Sequence, residues 1–166
     1  MNFSSLKEYF YKLYNAAMKR MLLPLACFLG IYYAFFLGAI SPFVEDETVT
    51  NVMLIAMASI IVIVLTIVHL AARKIYRANI DLVGLGNKLD VFAVVTRKKL
   101  NAGMTVSLLA AAGFLVTGRP WFSVCLACIM AWLLAQWPTP RKASRQLKLK
   151  RDEREMVLTK GEAFRF

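Results

Sequence analysis

Apolar residues in this chain run in long uncharged blocks, and the polar positions collect between them. The first block, 21–41, carries no charge over 21 residues. A helix rising 1.5 Å per residue needs about 20 residues to cross a ~30 Å hydrocarbon core, so 21–41 predicts a first transmembrane helix. Pro24 would sit in its first turn, where a missing N–H costs little, and Pro42 follows its end. A cleavable signal peptide is the rival reading, but the apolar run exceeds the usual roughly 7–15 residues and the charged leader is long. The second block, 51–72, is rich in Ile, Val, Leu and Met. Its β-branched residues would favour a strand in water. In hydrocarbon an open strand leaves its backbone polar groups unpaired, so a second helix is expected there.

The third block, 104–137, holds Arg119 as its one charge. As a single helix it would measure about 51 Å, so it must break. Gly118-Arg119-Pro120 supplies the turn, with Gly tolerating unusual dihedrals and Pro starting the next helix. Two arms result, 102–118 and 121–137, each of about 17 residues, at the short end of the spanning range. Two full crossings with Arg119 at the far headgroups is the favoured reading, and a re-entrant hairpin is the alternative. Both return the chain to the side it came from.

The segments between the blocks also predict helices. In 1–20, Phe3, Leu6, Phe10, Leu13 and Ala17 recur at steps of three and four opposite Lys7, Glu8, Lys12, Asn15 and Lys19. That describes an amphipathic interfacial helix, with Ser5 and Glu8 at capping-box spacing. A helix packed against a partner gives the same pattern. In the connection 73–101, Ile75, Tyr76, Asn79, Ile80 and Val83 keep helical spacing, and Gly84 and Gly86 then break the run before a second helical piece from about Asn87 to Leu100. In the tail, 138–166, Thr139 and Pro140 suit an N-cap and a first helical position. The fold class expected is therefore an all-α membrane protein of one domain, 1–166. It is a four-transmembrane-helix bundle of two helical hairpins, with N-terminal, central-loop and C-terminal helices at the interface or in the cytoplasm.

Composition agrees, since 59% of the chain is AVILMFWYC, above the soluble norm of roughly 45–50% apolar with Gly included. Charge adds direction. Residues 1–20 hold four Lys/Arg, 42–50 none, 73–103 seven, 118–120 one and 138–166 nine, whereas 42–50 carries Glu45, Asp46 and Glu47. By the positive-inside rule both termini and the central loop lie in the cytoplasm, most plainly of a bacterial inner membrane. Trp121 and Trp137, about 24 Å apart on a helix, mark two interface depths. A formal charge of +11 could serve nucleic acid, but these bases flank apolar spans, so anionic lipid headgroups are the expected partner and no nucleic acid is. The residues expected to meet lipid or a partner are Arg73, Lys74, Arg77, Arg97, Lys98, Lys99, Arg141, Lys142, Arg145 and Lys148.

Few motifs offer chemistry. Gly84-Leu85-Gly86-Asn87-Lys88 lacks the spacing of a phosphate loop and the third Gly of a dinucleotide fingerprint, so it reads as a hinge. The terminal Phe164-Arg165-Phe166 has the aromatic end of an outer-membrane barrel without the alternating strands a barrel needs. His69, one turn before Arg73, belongs near the headgroups as an interfacial polar residue. Cys125 and Cys128 lie one turn apart near the outer end of the last arm, a spacing that can cycle between dithiol and disulfide. With four spans and both termini inside, this resembles the quinone-linked thiol oxidoreductases of the vitamin K epoxide reductase type. That resemblance implies a redox pair, yet those families carry shuttle cysteines in an outer loop and 42–50 and 118–120 contain none. Small-residue packing is the plainer use of both thiols.

A transporter or channel subunit would place ionisable groups inside the spans, and these spans hold no Asp, Glu, Lys or Arg. Helix association is better supported. Gly103, Ser107 and Ala111 recur every four residues, followed by Ala110, Ala112 and Gly113, and could serve the bundle, a homo-oligomer or a larger complex. No metal, cofactor or catalytic residue is expected. The sequence points to a non-catalytic accessory, scaffold or assembly subunit of a membrane complex.

Overall fold

The computed structural model describes residues 5–44, 46–80 and 82–159. Phe3, Glu45 and the terminal Phe164-Arg165-Phe166 lie outside them. Among the described residues there are six helices and no strand: α1 (Leu6–Phe36), α2 (Glu47–Ala78), α3 (Leu85–Thr117), α4 (Trp121–Ala135), α5 (Pro140–Gln146) and α6 (Arg151–Leu158). Three of them, α1 to α3, are long and apolar enough to cross a membrane, and α4 passes that test only jointly with α5, from which it is bent by 76°. This is the make-up of an integral membrane protein.

The helices are longer and fewer than the blocks of sequence imply. The expected surface helix 1–20 and first span 21–41 are one helix, α1, about 46 Å long. Pro24 therefore lies deep inside α1 instead of in a first turn, with its ring buried. Ser5 caps α1, its hydroxyl accepting from Glu8 N at 3.2 Å. The Glu8 carboxylate lies 2.6 Å from the Lys12 ammonium, one turn further along α1. Asp46 Oδ1 accepts from Thr48 N at 2.7 Å and Val49 N at 3.2 Å, so α2 starts at Glu47, four residues before the expected block. It runs through Arg73, Lys74 and Arg77 to Ala78. On the other side of a short connection, α3 starts after Gly84, at φ 91°, and continues unbroken past Leu100. The two helical pieces expected in a central loop are thus the overrunning ends of α2 and α3.

The α3 helix is the hub. The helices α1, α2 and α4 pack mainly against it, so α1 and α2 form a hairpin in sequence but meet α3 instead of lying along each other, while α5 and α6 pack chiefly on one another. Half of α3's most apolar stretch is buried, against 11% for α1 and 6% for α2. Three buried clusters stack along the axis. At one end, Tyr9, Phe10 and Leu13 of α1 meet Leu89, Phe92 and Ala93 of α3, together with Ala143, Leu147, Leu149 and Val157 around α5 and α6. In the middle, Ala17, Ile61, Leu100, Val106, Ala110, Ile129 and Leu133 bring all four long helices together. At the far end, Phe28, Ala111, Phe114, Phe122 and Leu126 close the bundle, with Phe28, Tyr32 and Phe35 arrayed on Phe114 at centroid distances of 4.9, 6.0 and 5.3 Å.

The far-end turns are level with each other. Phe43 N and Val44 N donate to Val116 O at 2.9 and 3.2 Å. Gly118 takes the left-handed conformation (φ 62°) that ends α3, its N–H bonding Phe114 O at 2.8 Å. A Cβ there would touch the Pro42 ring at 3.4 Å. Arg119 lies 3.9 Å from the Glu47 carboxylate, both substantially exposed.

Candidate functional site

The first half of α1 is held in a packed cap, with its apolar stripe turned to other helices of this chain. Tyr9, Phe10 and Leu13 are buried among α3, α5 and α6, and Ala17 is buried in the middle cluster with α2, α3 and α4. The Tyr9 hydroxyl donates to Leu89 O at 2.7 Å, and Tyr14 stacks on Trp137 with centroids 6.1 Å apart. Lys88 Nζ donates to both carboxylate oxygens of Glu153, at 2.7 and 2.9 Å, tying α3 to α6. Thr139 caps α5 by accepting from Lys142 N at 3.2 Å, with Pro140 in its first turn, the arrangement the sequence implies.

This cap carries the cations, and they divide into three groups. Arg73, Lys74, Arg77 and Lys98 point outward and are exposed, and Arg97 is half-buried with its own partners. Arg141, Arg145 and Lys148, joined by Arg154 and Ser144, line an open cavity of about 410 Å³ between α5 and α6. Lys148 there adopts φ 48°, the one positive φ of a non-glycine residue among those described.

The third group is inside. Lys99 is only 5% exposed, on the face of α3 that packs against its neighbours. Its ammonium donates to Gln136 Oε1 at 3.2 Å and lies 5.7 Å from the centre of the Tyr76 ring. Lys142, from α5, donates to the Ala135 carbonyl at the end of α4 and comes within 3.5 Å of the same Gln136 oxygen. Two ammonium groups thus share one neutral amide oxygen. The described ion pairs involve Lys12, Lys88 and Arg119, so no carboxylate among the described residues meets Lys99, Lys142 or Arg73. Burial pushes the Lys142 ammonium down to about 8, with the charges of Lys99 and Arg145 adding to the effect. Each ammonium has three N–H donors, and an unpaired cation taken out of water costs several kcal/mol.

A groove opens beside this cluster. Val62, Leu65, Thr66, His69 and Leu70 of α2 face Trp132 of α4 across about 300 Å³. Trp132 precedes Gln136 by four residues along α4 and its C-cap, and His69 precedes Arg73 by four on α2, so the cluster stands one helical turn beyond the groove.

The small-residue stripe serves the bundle itself. Gly103, Ser107 and Ala111 are all buried on α3. A Cβ on Gly103 would fall 2.9 Å from Leu133 Cγ on α4, and one on Gly113 would fall 2.8 Å from Met57 Sδ and against the Phe122 ring. Ser107 folds its hydroxyl back to Gly103 O at 2.8 Å, so no polar atom interrupts the seam. Cys125 is half-buried on α4, and Cys128 and Cys27 are exposed, all three as free thiols.

Sequence reasoning grouped Lys99 with the outward bases and took Gln136 only as a polar residue near a span end, without bringing the two together. The signal was present in spacing: Lys99 precedes Gly103 by four residues and Ser107 by eight, which puts it in line with the packing seam. No protein-family model, curated protein or solved structure matches this chain.

Proposed function

We propose that the chain is a four-span protein of two antiparallel hairpins in a bacterial inner membrane, with the capped, basic end in the cytoplasm. In this reading it acts without catalysis as an accessory, scaffold or assembly subunit of a membrane complex. Three helices of spanning length and level far-end turns support the topology, and the charge asymmetry supports the orientation.

The observation that carries the subunit reading is how the fold distributes its surfaces. The centre of the bundle is filled by side chains of α4 and α2 seated against the α3 backbone, as Leu133 at Gly103 and Met57 at Gly113, rather than hollowed around a path. Outward, α2 displays Val52, Ile55, Val62, Ile63 and Ile67, and the cap displays Arg141, Arg145 and Lys148. A filled core with extended apolar and cationic faces suits contact with neighbours. Purification in mild detergent checks it: a companion subunit at fixed stoichiometry through size exclusion is expected, and a clean monomer overturns the reading.

A further inference from the structure

The cation cluster and the α2–α4 groove are neighbours with two chemistries, one helical turn apart along α2 and α4. At its head stand Lys99, Lys142 and Gln136, with the charge of Arg73 reaching Lys99 from α2. The two ammonium groups offer six N–H donors between them, and three are accounted for: one to Gln136 from Lys99, and two from Lys142 to Ala135 O and Gln136. Half of the donor capacity of a site made of one buried and one half-buried ammonium is therefore open. Below the head lies a groove with apolar walls on both sides, Leu65 and Val62 against Trp132, on the outer surface of the bundle. Its polar groups, Thr66 and His69, are single residues on an otherwise apolar wall.

We propose that the cluster and the groove together bind one molecule of an anionic glycerophospholipid, with the headgroup phosphate on Lys99 and Lys142 and one acyl chain in the groove between α2 and α4. The proposal rests on the membrane reading above and deepens it, replacing diffuse attraction to a basic face with a defined site. A phosphodiester supplies charge and acceptor oxygens to the open donors. Its chain supplies the apolar surface the groove lacks. A free phosphate would satisfy the head alone, and a zwitterionic lipid would fill the groove while carrying its own cation to a site crowded with cations. Charge complementarity and the adjacency of head and groove thus select the same occupant.

The test uses the full chain in neutral detergent, with thermal unfolding and native mass spectrometry after adding phosphatidylglycerol, phosphatidylcholine or inorganic phosphate. Phosphatidylglycerol is expected to bind as a single retained molecule and to raise the unfolding temperature more than the other two. Lys142→Met should weaken that binding roughly fivefold or more, the scale of one base near an anionic headgroup. Lys19→Met, exposed on α1 outside the cluster and the groove, should leave it unchanged. Lys99→Met gives opposite signs in one protein: higher stability without lipid, because a buried unpaired charge is gone, and loss of the phosphatidylglycerol response. Thr66→Trp, which fills the groove, should cut lipid binding and spare any response to phosphate.

An undiminished phosphatidylglycerol response in Lys99→Met and Lys142→Met overturns the site. Equal stabilisation by inorganic phosphate shows a soluble-anion site, and equal stabilisation by phosphatidylcholine shows a groove indifferent to charge; either result overturns the proposal. A missing companion subunit is read separately by size exclusion, so that failure leaves the lipid result standing.

Discussion

At the scale of single residues, the bundle depends on what is missing from Gly103 as much as on what is present elsewhere. Leu133 occupies the place a side chain would take, so Gly103→Val should overpack the α3–α4 seam and destabilise by about 1–3 kcal/mol. Gly30 is the control, because nothing lies within 4 Å of its Cβ position inside α1. There Gly30→Ala should be neutral or stabilising by up to about 1 kcal/mol. Unfolding in detergent measures both, and equal effects would contradict the close approach. Lys142 makes a pH-dependent prediction. Its ammonium faces Lys99 of α3, Arg145 of its own helix, His69 of α2 and the neutral Gln136, and it titrates near 8 folded against 10.5 ordinarily. Between those values the unfolded chain holds more protons than the folded one, so this group makes stability rise with pH from about 8 upward. Below 8 both states are charged and its penalty is fully present. Comparing wild type with Lys142→Met across pH 7.5–10 isolates the slope (an approximate window set by the same linkage), and a difference that is flat or falling refutes it.

At the scale of elements, α1 separates a packed helix from a surface one. Leu13 and Phe10 lie in the cap core at 1% exposure and Tyr11 is 64% exposed on the other side. Leu13→Ala should cost about 2–5 kcal/mol and Phe10→Ala about 3–5, whereas Tyr11→Ala should stay within about 0.5. Proteolysis of the cap and unfolding curves read the difference, and similar losses at Tyr11 and Leu13 would favour a helix lying in headgroups. Much of this was legible beforehand: the i, i+3, i+4 stripe at Phe10, Leu13 and Ala17, the Gly118 turn and the Thr139–Pro140 start are local signals that tertiary contacts do not change. The fusion of 1–20 with 21–41 was not legible, because Lys19, Arg20 and Pro24 read as a boundary. In the fold, Arg20 spends its charge on Asn101 and the Ala16 carbonyl, and the helix continues. The shared oxygen of Gln136 was equally hidden, since it joins α3, α4 and α5 across 37 and 6 residues of sequence.

At the scale of the whole molecule, the open issue is whether α4 carries the chain across the membrane, and the fold bears on it through depth rather than length. By length α4 is short, 15 residues and about 22 Å against a ~30 Å core. By depth the α3–α4 turn sits beside the α1–α2 turn, with two backbone bonds into Val116 and Pro42 against Gly118. A re-entrant turn would stop inside the core, and the acidic far-end loop holding Asp46 and Glu47 would be drawn in with it, which apolar surroundings strongly oppose. In the proposed four-span reading, the level turns let Arg119 emerge where Glu47 does, and local thinning and the Gln136-Trp137 segment would absorb the mismatch at α4. In a chain with Cys27, Cys125 and Cys128 replaced by Ala, Arg119→Cys and Ser41→Cys should both react with a membrane-impermeant maleimide added outside intact cells, at comparable rates. Under the proposed orientation, with the basic cap in the cytoplasm, Lys74→Cys should react only after lysis. Labelling of Ser41→Cys without Arg119→Cys would make 102–137 re-entrant, and external labelling of Lys74→Cys would reverse the orientation of the entire bundle.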